Sequence, residues 1–335
     1  MKYLLITCLI ILSLSSSAQD DVKVLQETAK NYVKQGDFNK AVVTLTRAFQ
    51  QEPGNIDVQK ELAFAQYYQK DLGRALETVK PLLERRDAQV QVYQLAGLIY
   101  AAKDDDQEAE KVYKKGIKKF PESAVLYNDY GEFLWNKQDN NAIRQWEKGM
   151  EADPNYAANY YNAARYSSDK IWGVIYAEIF INMESFTRRS IEIKYQLLHN
   201  YRKLLADISV AKYQNNKNPF ISAYIKSVNK EAALVSAAIT PESLTMLRTR
   251  FILEWNDKYS IKFPFRLFDY HKQLLKDGLF EAYNQWLFGP IQNLTAFQNW
   301  TNKHTEPYTE FTGFQHSRIF KIPSGQNYQN RKEDK

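Results

Sequence analysis

The sequence predicts an all-α fold: stacked helical hairpins over residues 22–185, then a helical C-terminal region over 186–317. Two observations carry that expectation. Small residues return at a fixed interval, with Ala29, Ala63, Gly97 and Gly131 every 34 residues and Ala41, Ala75, Ala109 and Ala142 at steps of 34, 34 and 33. Glycine and proline are sparse, 12 and 10 in 335 residues, while aromatics reach 14%. That balance suits a continuous helical body better than an all-β or disordered chain.

The interval has a physical cause. Two antiparallel helices approach closely only where one of them lacks bulk, and Ala or Gly at the crossing leaves that gap. Leu62, Tyr93, Tyr100 and Leu134 supply the large residues around it. A single hairpin leaves one face bare, so it stacks on the next. The first unit (22–53) turns at Gln35-Gly36-Asp37 and ends at Pro53-Gly54. The second (56–86) turns at Lys70-Asp71, places Leu72, Ala75 and Val79 inward, and is bent or shortened late by Pro81. The third (88–121) turns through Asp104-Asp105-Asp106. A calcium loop needs alternating acids, a central glycine and a closing glutamate; none is spaced so here, and the turn reads as a helix cap. The fourth (122–154) has a turn one residue shorter and carries Trp135 and Trp146. A fifth opens with Tyr160, Ala163 and Ala164, shortens at Gly173, and the period fades near Ser185.

The first copy of the unit sets Leu25, Ala29, Tyr32, Gly36, Phe38, Ala41, Leu45, Ala48 and Pro53 in order. This pattern resembles the tetratricopeptide repeat family. The resemblance implies a right-handed solenoid, closed here by the C-terminal helical extension acting as a cap. It also implies a non-catalytic scaffold or adaptor that binds a protein or peptide segment in a concave groove. Carried over residue by residue, the family's groove-facing positions are Lys30, Lys34, Lys60, Phe64, Tyr67, Tyr68, Gln94, Leu98, Asn128, Glu132 and Trp135. The clamp of paired Asn and Lys/Arg by which some members hold a C-terminal carboxylate falls on Lys30, Glu61, Gln91 and Leu95, so it is absent. Phe64, Tyr67 and Tyr68 share one helix face, and Leu98 and Trp135 come at matching phases later. Such a strip, with lysines at one end, suits a partner with an apolar stripe and an acidic end.

Beyond the repeats the helical signal continues. Ile193, Leu197, Tyr201, Leu204 and Ile208 form one stripe, and Ile221, Ile225, Val228, Ala232, Val235 and Ile239 another that starts at Asn218-Pro219. Thr240-Pro241-Glu242 opens a further helix with Leu244, Leu247, Phe251 and Trp255 on one side. Thirteen aromatics follow between Phe263 and Phe314, and Gly278-Leu279-Phe280-Glu281-Ala282 echoes the turn at Gly36. The tail over 318–335 is expected to lie extended from Arg318 to Pro323 and to be polar and disordered from Ser324.

Residues 1–18 read as a secretory signal peptide: Lys2, an apolar run from Tyr3 to Leu14, and Ser16-Ser17-Ala18, with cleavage between Ala18 and Gln19. The expectation is an exported chain, periplasmic or secreted, without a stable membrane span. Cys8 leaves with that peptide, so no disulfide or thiol chemistry is expected. Lysine and arginine exceed acids by 6, but the charges are interspersed, which gives no basic stripe for nucleic acid. No phosphate loop, nucleophile elbow or dinucleotide fingerprint occurs. His199, His271, His304 and His316 lack metal-ligand spacing and read as surface or half-buried side chains. The reading is therefore of no enzyme, no cofactor and no metal. The alternative to a peptide scaffold is a glycan-binding protein that stacks sugars on the C-terminal aromatics.

Overall fold

The structure, a computed structural model, describes residues 22–206 and 216–330. The expected signal peptide and its cleavage point, Ile208, and the last five residues lie outside the described residues. The fold is all-α, with no strand among the described residues. These residues form two compact units that divide between Phe133 and Leu134.

The first unit contains α1 (22–34), α2 (Phe38–Gln51), α3 (Ile56–Tyr68), α4 (Leu72–Val79), α5 (Val90–Ala102) and α6 (Asp106–Lys119). It ends within α7 (Ala124–Asn136). Ala29, Ala41, Ala63, Ala75 and Ala109 are all buried, as the crossing argument requires. In the third hairpin the interlock is reciprocal. A Cβ on Gly97 of α5 would stand 2.4 Å from the Tyr113 ring of α6, and one on Gly116 of α6 would stand 2.8 Å from Cβ of Tyr93 on α5. Each helix thus sinks an aromatic side chain into the other's glycine gap. Pro81 ends α4 early, and the chain continues as a 3-10 turn over Lys80–Glu84.

The hairpin turns share one construction. The residue in the left-handed region recurs as Gly36, Lys70, Asp104 and Gln138, every 34 residues. An aspartate follows each time. Its amide bonds back to the preceding helix, Asp37 to Tyr32 O (2.9 Å), Asp71 to Gln66 O, Asp105 to Tyr100 O and Asp139 to Leu134 O, which closes the helix end. Its carboxylate then accepts an amide of the next helix, such as Lys40 N at 3.1 Å or Arg74 N at 3.1 Å. The acidic turn at 104–106 is therefore a cap, with Asp105 accepting from Glu108 N.

The second unit holds α8 (Asn141–Ala152), α9 (Ala157–Tyr166), α10 (Lys170–Met183), α11 (Arg188–Ala206), α12 (Pro219–Glu231), α13 (Pro241–Lys258), α14 (Arg266–Lys276), α15 (Phe280–Gln292), α16 (Leu294–Lys303) and α17 (Thr305–Ser317). Every residue of α10 from Ile171 to Asn182 is buried, because α9, α11 and the helices behind them enclose it. Thr240 and Ser243 form a reciprocal capping box on α13. Gly278 is again left-handed, and Leu279 N bonds to Leu274 O at 2.8 Å, so α14 and α15 repeat the hairpin turn without its aspartate.

Two expectations differ from what is observed. The stripe expected to run to Ile239 stops being α-helical at Glu231, where a 3-10 turn over Ala232–Val235 takes over. The tail beyond Ser324 is not loose through Asn330. Tyr328 is buried, stacks on Phe220 at 4.8 Å and donates to Pro264 O at 2.8 Å. One large ring anchors a segment whose other residues are polar. The alternation before it holds, with Phe320 and Ile322 buried and Ile319 outside.

The crossings can be tested directly. Gly97→Ala should destabilise the chain by roughly 1–3 kcal/mol in urea unfolding, and Ala63→Leu by as much or more, because neither gap accepts added bulk. Lys114→Leu, at an exposed site on α6, should change stability by less than about 0.5 kcal/mol. Equal midpoints for all three would refute the assigned register.

Candidate functional site

The first unit contains an apolar hollow of about 370 Å³. Its wall is built from Ala29 and Val33 of α1, Phe64 of α3 and Leu95 of α5, with Leu45 of α2 beneath. These are the first helices of successive hairpins, whose small residues face inward and leave the larger ones between neighbours. Lys30, Lys34, Lys60 and Glu61 stand at the edge. Phe64 is 38% exposed, a large apolar area left to water.

Of the groove residues expected from the sequence, Lys30, Lys34, Lys60 and Phe64 meet at this hollow. Tyr67 and Tyr68 sit beside it in a separate ring cluster, with Tyr68 stacked on Phe38 at 5.2 Å and tilted against Phe64 at 4.6 Å. Leu98 is exposed on α5. Gln94 donates to Asp129 of α7 at 2.6 Å, and Asn128 donates to Glu132 at 2.9 Å, so these form a polar string. Burial pushes the Asp129 carboxyl up to about 6. Trp135 belongs to the second unit, where it stacks on Tyr166 at 4.2 Å and leans on Trp146. Val33 was not anticipated. Glu61, Gln91 and Leu95 had entered only as the places of an absent clamp, yet all three line the hollow.

Charge at the edge is nearly balanced. Lys30 pairs with Glu27 at 2.8 Å and approaches Glu61 at 3.9 Å, while Lys60 pairs with Asp57 at 2.7 Å and donates to Gln89 at 3.0 Å. Half-burial raises the Glu61 carboxyl, against the bond from Gln26 and the charge of Lys30. Exposed pairs of this kind contribute little to stability, but they answer most of the lysine charge. Lys34 makes no ion pair among the described residues.

Residues 32–99 and 90–119 match models of the tetratricopeptide repeat. These residues carry tetratricopeptide repeats. No curated protein matches the sequence. Similar solved structures include a thermophilic TPR protein of Thermus thermophilus, 14% identical with a TM-score of 0.44, covering 54% of this chain and 99% of that one. MamA from Desulfovibrio magneticus is 14% identical at a TM-score of 0.38, covering 55% and 97%. YrrB, described as a TPR protein with an unusual peptide-binding site, is 11% identical at 0.36, covering 57% and 92%.

The second unit hides a polar centre that sequence reading missed. Glu178 of α10 accepts from Arg248 of α13, from Tyr283 OH of α15 at 2.8 Å, and bonds to His271 Nε2 of α14 at 2.8 Å. Arg248 also reaches Asn284. His271 is thus fully enclosed, unlike the surface or half-buried side chain expected. Burial opposes the charge on Glu178, but Arg248 and His271 outweigh it and hold the carboxyl low; burial lowers His271 itself. The space beside the centre is about 20 Å³, room for one water and no substrate. No group of three or more metal-binding side chains stands together among the described residues. No described helix is long and apolar enough to cross a membrane. Of the thirteen C-terminal aromatics, Phe297, Trp300, Tyr308 and Phe314 are half-buried and the other nine are buried, so they form core instead of an open stacking cleft.

Lys194 of α11 is the centre's counterpart without an acid. Its ammonium donates to Trp286 O at 2.8 Å and lies 3.5 Å from the Trp286 ring centroid, with no carboxylate paired to it among the described residues. Burial lowers its pKa to about 7. The unfolded chain holds that proton up to about 10.4, so between those values the unfolded state binds more protons than the folded one. Stability from this group therefore rises with pH from about 7 to 10, and its full cost stands below 7. From pH 7 to 9, urea unfolding should show a gain of about 2 kcal/mol in the parent beyond that in Lys194→Met. Parallel pH profiles would show that the amine does not titrate on unfolding.

Proposed function

We propose that this chain is an exported, non-catalytic scaffold that holds a segment of a partner protein in the hollow of its first tetratricopeptide hairpins. The observation that carries this reading is the hollow itself, about 370 Å³ with Ala29, Val33, Phe64 and Leu95 as its wall. That volume lies at the lower end of ligand-pocket sizes. It suits one or two apolar anchor side chains presented by a helix or an extended segment.

The edge refines the partner. Most lysine charge there is already answered by Glu27, Asp57 and Glu61, which leaves Lys34 as the edge lysine without an ion pair among the described residues. The fitting segment is one with apolar anchors and a single acidic group beside them. A partner retained from the cell envelope, identified and then titrated, should bind Phe64→Ala about 2 kcal/mol more weakly than the parent. Lys34→Glu should cost less, and both variants should melt close to the parent. Binding kept by Phe64→Ala but lost by Tyr67→Ala would move the surface to the ring cluster at Phe38. Loss by Trp135→Ala alone would move it to the second unit.

Export rests on the charged start, apolar run and small-residue end of residues 1–18. Protein recovered outside the cytoplasm should begin at Gln19 on N-terminal sequencing. Recovery of the chain only as a full-length cytoplasmic protein would overturn this part of the reading.

A further inference from the structure

The second unit carries another hollow, of about 560 Å³, formed where α8, the link between α9 and α10, the start of α12 and Gln329 of the tail converge. Its chemistry is unlike that of the first. Asn140, Ser168, Asn216 and Gln329 bring amides and a hydroxyl, and Glu147 and Asp169 bring carboxyl groups. Ile143, Ile221 and the rings of Tyr166 and Trp172 supply apolar wall. Among the described residues no lysine or arginine side chain lines it.

Part of the wall is held in place by the protein's own bonds. Asp169 Oδ1 caps α10 through Ile171 N at 2.8 Å and Trp172 N at 3.0 Å, which leaves its second oxygen outside the cap. Glu147 Oε1 accepts from Tyr176 OH at 2.9 Å. Asn218 ties the α12 start to the tail by donating to Tyr328 O at 2.7 Å. Tyr166 is held by its stack on Trp135. Asn140 makes no side-chain cap bond on α8.

From this geometry we propose that the hollow binds a neutral sugar, a pyranose whose hydroxyls meet the carboxyl and amide groups and whose apolar ring face meets Ile143, Ile221 and the two rings. Three alternatives fit less well. An anion finds no cation among the described residues of the wall. A wholly apolar ligand would strip water from two carboxyl groups and several amides without replacing their bonds, a cost of a few kcal/mol for each group. A cation would meet the two carboxyl groups and the amide and hydroxyl oxygens but leave the amide N–H donors unused, and no three metal-binding acids, histidines or cysteines stand together among the described residues. Burial also pushes the Glu147 carboxyl up to about 6, so part of its population is protonated near neutrality and donates as well as accepts. Hydroxyl ligands need both roles. This inference is independent of the peptide groove and of the C-terminal aromatics, nine of which are buried and four half-buried.

The test is saturation-transfer NMR on the full mature chain with glucose, galactose, mannose, N-acetylglucosamine and maltose at millimolar concentration. At least one should show transfer. Asn140→Ala and Ser168→Trp, both on the rim of the hollow, should weaken it by roughly tenfold or more, about 1.4 kcal/mol, while leaving the melting temperature in place. Absence of transfer from every sugar overturns the proposal. So does transfer that survives Ser168→Trp, which fills the mouth. Binding of putrescine alone, lost in Ser168→Trp, would identify a cation hollow and would equally overturn it.

Discussion

The first unit depends on a steric exchange between neighbouring helices. Tyr113 occupies the gap at Gly97 and Tyr93 the gap at Gly116, so α5 and α6 each supply both a knob and a hole. Close approach makes dispersion contacts dense, and it also fixes the axial register, since a shift by one residue would drive a Cβ into a ring. The buried alanines at the equivalent places do the same with smaller side chains. Because inward positions are spent on small residues, the larger apolar ones collect between successive first helices. The hollow at Val33, Phe64 and Leu95 follows from that division.

The second unit adds other means. Beside small-residue crossings such as Gly149 against Asn159 and Gly173 against Asn200, aromatic rings form clusters, as in that of Phe220 with Trp255, Phe265, Phe268 and Tyr328. A charged centre then sits among them. A buried ion pair is weak evidence for stability, because desolvation offsets much of its attraction. Removing one partner is another matter: Arg248 or Glu178 left alone would be an unanswered charge in the core. Such a centre specifies which faces of α10, α13, α14 and α15 meet, since each must bring its own polar group to one carboxylate oxygen.

Much of the fold was legible, and the omissions have physical reasons. The period of small residues located the hairpins, and Thr240-Pro241 and Asn218-Pro219 marked helix starts that are observed as caps. An equally regular signal went unread. Asp37, Asp71, Asp105 and Asp139 recur every 34 residues, each one residue after a left-handed turn position. Only Gly36 among those turn positions advertises its backbone; Lys70, Asp104 and Gln138 adopt it because the closing bonds of the turn require it. His271 looked like a surface residue since sequence gives no sign that Glu178, 93 positions away, is its partner. The groove was half legible. Helix phase put Phe64 and the lysines on one face, but which neighbours close a wall depends on how adjacent hairpins stack, and Val33 and Leu95 are placed by stacking alone.

The edge of the groove also corrects what its lysines promise in the sequence. Counted there, Lys30, Lys34 and Lys60 form a basic end. In the structure Glu27, Asp57 and Glu61 lie against two of them, on the same helical face or the next one over. At about 8 Å of screening length in physiological salt, such paired charges present little net field to an approaching partner. If the hollow holds a partner segment as proposed, its selectivity comes from shape and apolar contact, with Lys34 contributing one oriented donor. Under that proposal the groove would bind through a few well-filled side-chain positions instead of long-range attraction. Its association would respond weakly to ionic strength, and its dissociation rate would carry most of the difference between partners.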